Sequence, residues 1–198
     1  MASVVFLRAV NVGKANRCQP ALIAKQLARF DIVNIGAVGT FVVRENVTES
    51  ALRAAIAKKL PFKCEIMICP ARDVIKLASR DPFEGQPSGP NITRFVSISA
   101  KPLRAGIRYD SRQTSAARPA RTIKPQTSQL SSLPLSLPSD DDWLLKVIAI
   151  QDRLVLGLYR RQMKAISYLG KIEKQFGVPV TTRNWNTIEK VAKILREV

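Results

Sequence analysis

The chain contains no histidine in 198 residues. Serine–histidine and cysteine–histidine nucleophile pairs are therefore excluded within it. A zinc site would have to use cysteine and carboxylate alone, and no such cluster is visible, so neither a metal nor a cofactor is expected. Cysteine is scarce as well. Cys18, Cys64 and Cys69 form an odd and scattered set, which is no disulfide framework. Cys64 and Cys69, five apart on an expected strand, should face opposite sides, and all three read as reduced, partly buried thiols. No run of about 18 apolar residues occurs, so no spanning helix and no membrane partner is expected. The opening Met-Ala-Ser-Val-Val-Phe-Leu-Arg lacks a basic start followed by a long apolar stretch, which reads as a cytoplasmic protein without a leader.

Acid is the other shortage. Fifteen Asp and Glu face 32 Lys and Arg, a formal net charge of +17. Residues 1–80 hold 13 basic and 5 acidic groups (+8), residues 81–142 hold 8 and 6 (+2), and residues 143–198 hold 11 and 4 (+7). Both apolar-rich ends are thus basic, a balance that attracts polyanions and phosphate-bearing molecules. Hydrophobic content of 46% is enough for a core.

Residues 3–12 read as a strand. Pro20 suits a first helical turn, with Leu22, Ile23, Leu27 and Phe30 as an apolar stripe. Ile32–Ile35 and Phe41–Val43 are short strands around a glycine-containing loop. Thr48 caps a helix with Leu52, Ala55, Ile56 and Leu60 inward. Glu65–Cys69 is a fourth strand, and a short helix follows over 71–79. The order β-α-β-β-α-β predicts an α+β protein whose amino-terminal domain, residues 1–83, is ferredoxin-like. Proline and glycine over 81–90 mark a boundary, and residues 91–198 read as a smaller α/β domain. Within it, 111–139 is a Ser/Pro/Arg-rich insertion: fourteen of its 29 residues are Ser, Thr or Pro, four are basic, and none is acidic or aromatic. Such a stretch buries too little apolar surface to offset its ordering entropy and reads as mobile, a linker or a basic arm. Strands are expected at Ile92–Ser99, Leu144–Ile150 and Leu154–Arg160. A helix follows at Ala165–Phe176 with Ile166, Leu169, Ile172 and Phe176 inward, stopped by Gly177. A last helix runs over Ile188–Val198, with Asn186 and Glu189 as a capping box.

Three polar constellations stand out. Thr181-Thr182-Arg183-Asn184-Trp185-Asn186-Thr187 precedes the last helix. There Arg183 suits a carboxylate or phosphate, Thr182, Asn184, Asn186 and Thr187 suit its orientation, and Trp185 suits stacking on a base or sugar. The bland alternative is a cap, a packed indole and a structural arginine. The second, Arg8-Ala9-Val10-Asn11-Val12-Gly13-Lys14-Ala15-Asn16-Arg17, joins basic groups to Gly13, which permits an unusual turn, while Asn11 and Asn16 suit either ligand or loop backbone. With one glycine it is a poor phosphate loop. The third, Tyr159-Arg160-Arg161-Gln162-Met163-Lys164, is a basic cluster entering a helix, most simply a solvated face.

The stretch Gly177–Thr187, with Glu173-Lys174 upstream and Leu7-Arg8-Ala9-Val10-Asn11-Val12-Gly13 with Asn16 at the other end, resembles a bacterial family of proteins of unknown function, the one numbered 1697. The resemblance implies a ferredoxin-like first domain and a smaller α/β part, and no activity. Ala9 and Lys14 stand where that family carries glycine, Val38-Gly39-Thr40 stands for its Ser-Gly-Asn, and the insertion is longer than expected. The resulting expectation is an anion-binding protein that recognises a phosphate-bearing ligand or nucleic acid in an interdomain cleft. Its binding groups would be Arg8, Asn11, Gly13, Lys14, Asn16 and Thr182 to Thr187. The rivals are an enzyme acting on a small anionic metabolite, for which no proton-transfer group stands out, and a structural protein without ligand. The sequence assigns no oligomeric state.

Overall fold

The computed structural model describes residues 1–13, 16–103, 135–138 and 141–197. The architecture is mixed α+β with two antiparallel sheets. The first sheet contains β1 (Ser3–Leu7), β2 (Ile32–Asn34), β3 (Thr40–Val43) and β4 (Ile66–Pro70), in the order β2-β3-β1-β4. Helices α1 (Pro20–Gln26) and α2 (Glu49–Lys59) make the crossovers, and α3 (Ala71–Ala78) follows β4. The second sheet contains β5 (Ile92–Ser99), β6 (Leu135–Leu137), β7 (Leu145–Gln151), β8 (Leu154–Arg160) and β9 (Val180–Asn184), in the order β6-β7-β8-β5-β9. Helix α4 (Met163–Phe176) joins β8 to β9, and α5 (Trp185–Arg196) closes the chain.

Both faces of each sheet are covered, which is why the central strands lack polar alternation. On β1, Val5 and Leu7 face α1 and α2 in one core, with Ile23, Leu27, Leu52 and Ile56. Val4 and Phe6 face the opposite way into a core that both sheets share. There α3 (Val74, Leu77) and α5 (Ile188, Val191, Leu195) lie against Val96 and Ile98 of β5 and Leu154, Leu156 and Leu158 of β8. The far side of the second sheet packs Phe95, Leu145 and Val155 on Ile172 and Phe176 of α4. The period of two along each strand thus sends alternate side chains into different cores. Cys69 enters the shared core and Cys64 the outer one, the opposite facing that their spacing implied.

Local signals explain many of the boundaries. Pro20 occupies the first turn of α1. Thr48 accepts from the Ala51 N–H and caps α2. Gly177 ends α4 at φ 62°, in the left-handed region. Gly157 on β8 has no room for a side chain, since a Cβ would lie 2.2 Å from the Lys146 carbonyl oxygen and 2.6 Å from the Phe95 ring.

Several expectations need correction. The first strand stops at Leu7 rather than residue 12, because extended geometry is lost where Ala9 and Asn11 take φ of 54° and 56°. Leu22 and Ile166, assigned to apolar stripes, point to solvent. Residues Leu135–Leu137, inside the stretch expected to be mobile, pair with β7 as β6; the rest of that expectation, apart from Pro138, lies outside the described residues. Residues 180–184 form an edge strand on β5, and α5 starts at Trp185, three residues earlier than expected. Its cap is Asn184, whose Oδ1 accepts from the Thr187 N–H, and not Asn186.

Candidate functional site

Arg183 sits on β9 opposite Val96 and points across the seam toward the first sheet. Its side chain is sealed in, with the residue 6% exposed. Nε donates to Thr40 Oγ1 at 2.8 Å, and Nη1 donates to Thr181 Oγ1 at 2.8 Å and the Thr182 carbonyl at 3.0 Å. Nη2 donates to the carbonyls of Leu7 at 2.8 Å and Val38 at 3.0 Å. A guanidinium has five N–H groups, and all five are used. Burial pushes its pKa down to about 10, which leaves the group charged at neutral pH. Among the described residues no carboxylate pairs with it; carbonyl and hydroxyl dipoles and the Phe6 ring, 5.8 Å away, surround the charge. Arg183 therefore has no donor left for a direct bond to an anion, which corrects the role expected of it. What it offers a ligand is an uncompensated positive charge and a fixed position for the β1 end.

Trp185 is likewise corrected. Its indole is buried edge-on against Phe83, with ring centroids 5.1 Å apart, and cannot stack on a ligand base. Asn184 is consumed as a cap, and Asn186 and Thr187 lie on the first turn of α5, away from the seam hollow described next. Thr182 shares a hydrogen bond with Ser97, Oγ to Oγ1, at 2.7 Å.

The loop after β1 is built by alternation of backbone sign. Ala9, Asn11 and Gly13 have φ of 54°, 56° and 64°, whereas Val10 and Val12 stay negative. Asn11 pins this loop: its amide donates to the Cys18 carbonyl at 2.9 Å and to the Ala37 carbonyl at 2.6 Å, and its oxygen accepts from the Cys18 N–H. Asn16 donates from its amide to the Ala9 carbonyl at 3.3 Å. Both asparagines thus shape the loop rather than face a ligand, the alternative their position allowed. Lys14 lies outside the described residues.

A hollow of about 360 Å³ opens along the seam between the two sheets. Its walls are the 7–12 segment, Val38, the α4 face that carries Ile166, Leu169, Gly170 and Glu173, and Val180–Arg183 of β9. Arg8 forms a two-pronged ion pair with Glu173 here, Nη2 lying 2.9 and 2.8 Å from the two carboxylate oxygens. Glu173 also accepts from the Val180 N–H at 3.4 Å. It is the sole acid among the lining residues, against Arg8 and Arg183. On the other side of the loop a second hollow of about 490 Å³ is lined by Asn11, Arg17, Cys18, Gln19, Ala37 and Val38. Of the residues singled out in the sequence, Arg8, Thr182 and Arg183 meet in the first hollow, Asn11 lines the second, and Gly13 and Asn16 complete the loop between. Glu173 and Gly170 were not singled out as binding groups. A glycine inside an otherwise strong helical pattern was the available signal.

The cysteines offer little chemistry. Burial raises the pKa of the Cys69 thiol to about 12, and burial raises those of Cys18 and Cys64 too, so all three disfavour the thiolate.

The family described as "Protein of unknown function (DUF1697)" matches residues 1–123. The chain belongs to that family. The DUF1697 match takes in the 8–13 loop and the Val38-Gly39-Thr40 turn, and it stops before the closing Gly177–Thr187 stretch. Among curated proteins nothing matches the chain. A solved structure, that of conserved bacterial protein SP0830 from Streptococcus pneumoniae, is similar in fold with a TM-score of 0.56, 98% of each chain covered and 11% identity. Among the described residues of this DUF1697 protein, no helix is long and apolar enough to cross a membrane.

Proposed function

We propose that the protein binds a small phosphate-bearing anion in the seam hollow, against the 8–13 loop. The observation that carries this reading is the backbone of that loop. Positive φ at Ala9, Asn11 and Gly13 alternates with negative φ between them, the sign pattern of anion-holding nests, with the Asn11 N–H already taken by the Asn16 carbonyl. Among the described residues no acceptor takes the N–H of Ala9 or Val10, the turn at Val10 and Asn11 brings the Val12 N–H back toward the Ala9 carbonyl, and all three residues line the hollow. Val10 is almost fully buried, and buried N–H groups are rarely left without a partner. The unneutralised charge of Arg183 behind the loop adds to the field, as does the +17 of the whole chain. The size of the hollow favours a small molecule over a nucleic-acid duplex. The excess of basic residues supports nucleic acid as a second reading, which would reveal itself as steeply salt-dependent binding of unrelated sequences. For the enzyme alternative, Glu173 is the one acid in the hollow and Arg8 already holds it, so binding without reaction is favoured. We read the first sheet with α1 and α2 as a ferredoxin-like unit, supported by its strand order and senses, and residues 1–83 and 91–198 as two units that share a core.

Titration with inorganic phosphate, followed by amide chemical shifts, tests the reading. Saturable shifts should centre on residues 9–13. Glu173→Gln removes the competing negative charge and should tighten phosphate binding. Arg8→Ala should weaken it by about ten-fold, as expected for one lost charge-assisted interaction. If both variants merely lower stability and leave affinity untouched, or if phosphate never saturates, the ion pair is structural and the reading fails.

A further inference from the structure

The mouth of the same hollow is apolar. Val12 is 64% exposed, Val38 37% and Ile166 59%, and these come from three separate elements. Met163, 83% exposed, continues the Ile166 face one turn earlier on α4. Six large apolar side chains are strongly exposed among the described residues, and three of them line this one hollow. Clustered exposure of this kind marks a binding surface more than scattered exposure does. Gly170 points independently the same way. It lies inside α4, on the face between Ile166 and Glu173, with an ordinary helical backbone. A Cβ built there meets nothing within 4 Å. Neither backbone nor packing calls for glycine, and helix propensity opposes it. Its effect is to leave the wall of the hollow open.

From these features we infer that the anion carries an apolar body: the ligand class is a phosphomonoester with a small apolar alcohol part. The phosphate lies against the loop, and the apolar part lies over Gly170 between Val12, Val38 and Ile166. The inference rests on the anion reading of this hollow and adds what else the ligand contains. A mostly apolar cavity with a few convergent polar groups is the usual form of a small-molecule site.

The test compares phenyl phosphate, inorganic phosphate and phenol on the full chain by calorimetry. Phenyl phosphate should bind at least about ten-fold tighter than phosphate, the gain expected from burying one apolar group. Gly170→Ala should raise the melting temperature, which shows that the glycine is not there for stability. Gly170→Leu should abolish the phenyl gain and leave phosphate affinity in place. Ile166→Ser, at an exposed position, should cut the gain several-fold without touching a core, and it serves where Gly170→Leu does not fold. If phosphate binds and phenyl phosphate binds no tighter, the ligand class is wrong and the anion reading stands. If neither binds, both fall. Phenol binding as tightly as phenyl phosphate, or a gain that survives Gly170→Leu or Ile166→Ser, also overturns the inference.

Discussion

The two sheets can be laid on one another. Leu7 N–H donates to the Gly39 carbonyl at 2.8 Å, and Ser99 N–H donates to the Arg153 carbonyl at 2.8 Å. Each is the last residue of a central strand bonded to a hairpin. With Leu7 set on Ser99, the registers bring Cys69, paired with Val4, onto Arg183, paired with Val96. Pro70 then falls on Asn184, and these are the residues that precede α3 and α5. The strand order agrees, with β2-β3-β1-β4 set against β7-β8-β5-β9 and β6 added at the edge. The difference lies in where the cation stands. In the second half Arg183 reaches out of the strand into the other half's hairpin. In the first half the strand holds a neutral thiol, and Arg153 of the opposite hairpin reaches across, donating from Nη1 to the Ile68 carbonyl at 3.3 Å. One seam is a saturated, buried clamp, and at the other the arginine makes, among the described residues, a single long hydrogen bond across. The clamped seam is the one that borders the 8–13 loop.

This contrast can be broken most decisively at the two arginines. Arg183→Ala should cost about 3–5 kcal/mol, because it strands several buried carbonyls at once. Arg153→Ala should cost about 1 kcal/mol. Urea denaturation of both measures the ratio, and equal losses would mean the seams are equivalent. A smaller effect separates the helix starts. Asn184→Ala should lower stability by about 1 kcal/mol through the lost cap, whereas Pro70→Ala, where no side chain caps the helix, should cost about 0.5 kcal/mol, an unfolded-state effect. The smallest change concerns the segments after Leu7 and Ser99. Ala9, at φ 54°, should gain about 0.5–1 kcal/mol on Ala9→Gly. Lys101, its counterpart without positive φ, should lose a similar amount as Lys101→Gly. Thermal melts of the pair would show opposite signs; a loss at both positions would mean that Ala9 carries no strain.

Much of the fold was legible because local signals and packing agreed. Pro20, Thr48 and Gly177 act within one helical turn, and the apolar-rich runs at Ile92–Ser99 and Leu154–Arg160 are largely buried on both faces. The failures share a cause as well. Val180–Asn184 carries Thr-Thr-Arg, a polar string that looks like a turn, and it becomes a strand because the β5 edge and the Leu7 and Val38 carbonyls satisfy it. Ile166 fits a helical stripe by period and still faces out, since that face of α4 borders a hollow rather than a layer.

The amino-acid order by itself determined most of the helices and central strands, the charge excess and the exclusion of histidine chemistry, because each follows from short-range rules or from counting. Which donors remain open was decided by the folded arrangement alone. Arg183, the group that looked most available, is spent on carbonyls brought from residues 145 and 176 positions away. The backbone of 9–13, in which no single residue is conspicuous, gained its character from φ signs that Asn11 and its contacts to Cys18 and Ala37 hold in place. Hydrogen-bond satisfaction is a property of the three-dimensional neighbourhood, and a linear string does not contain it.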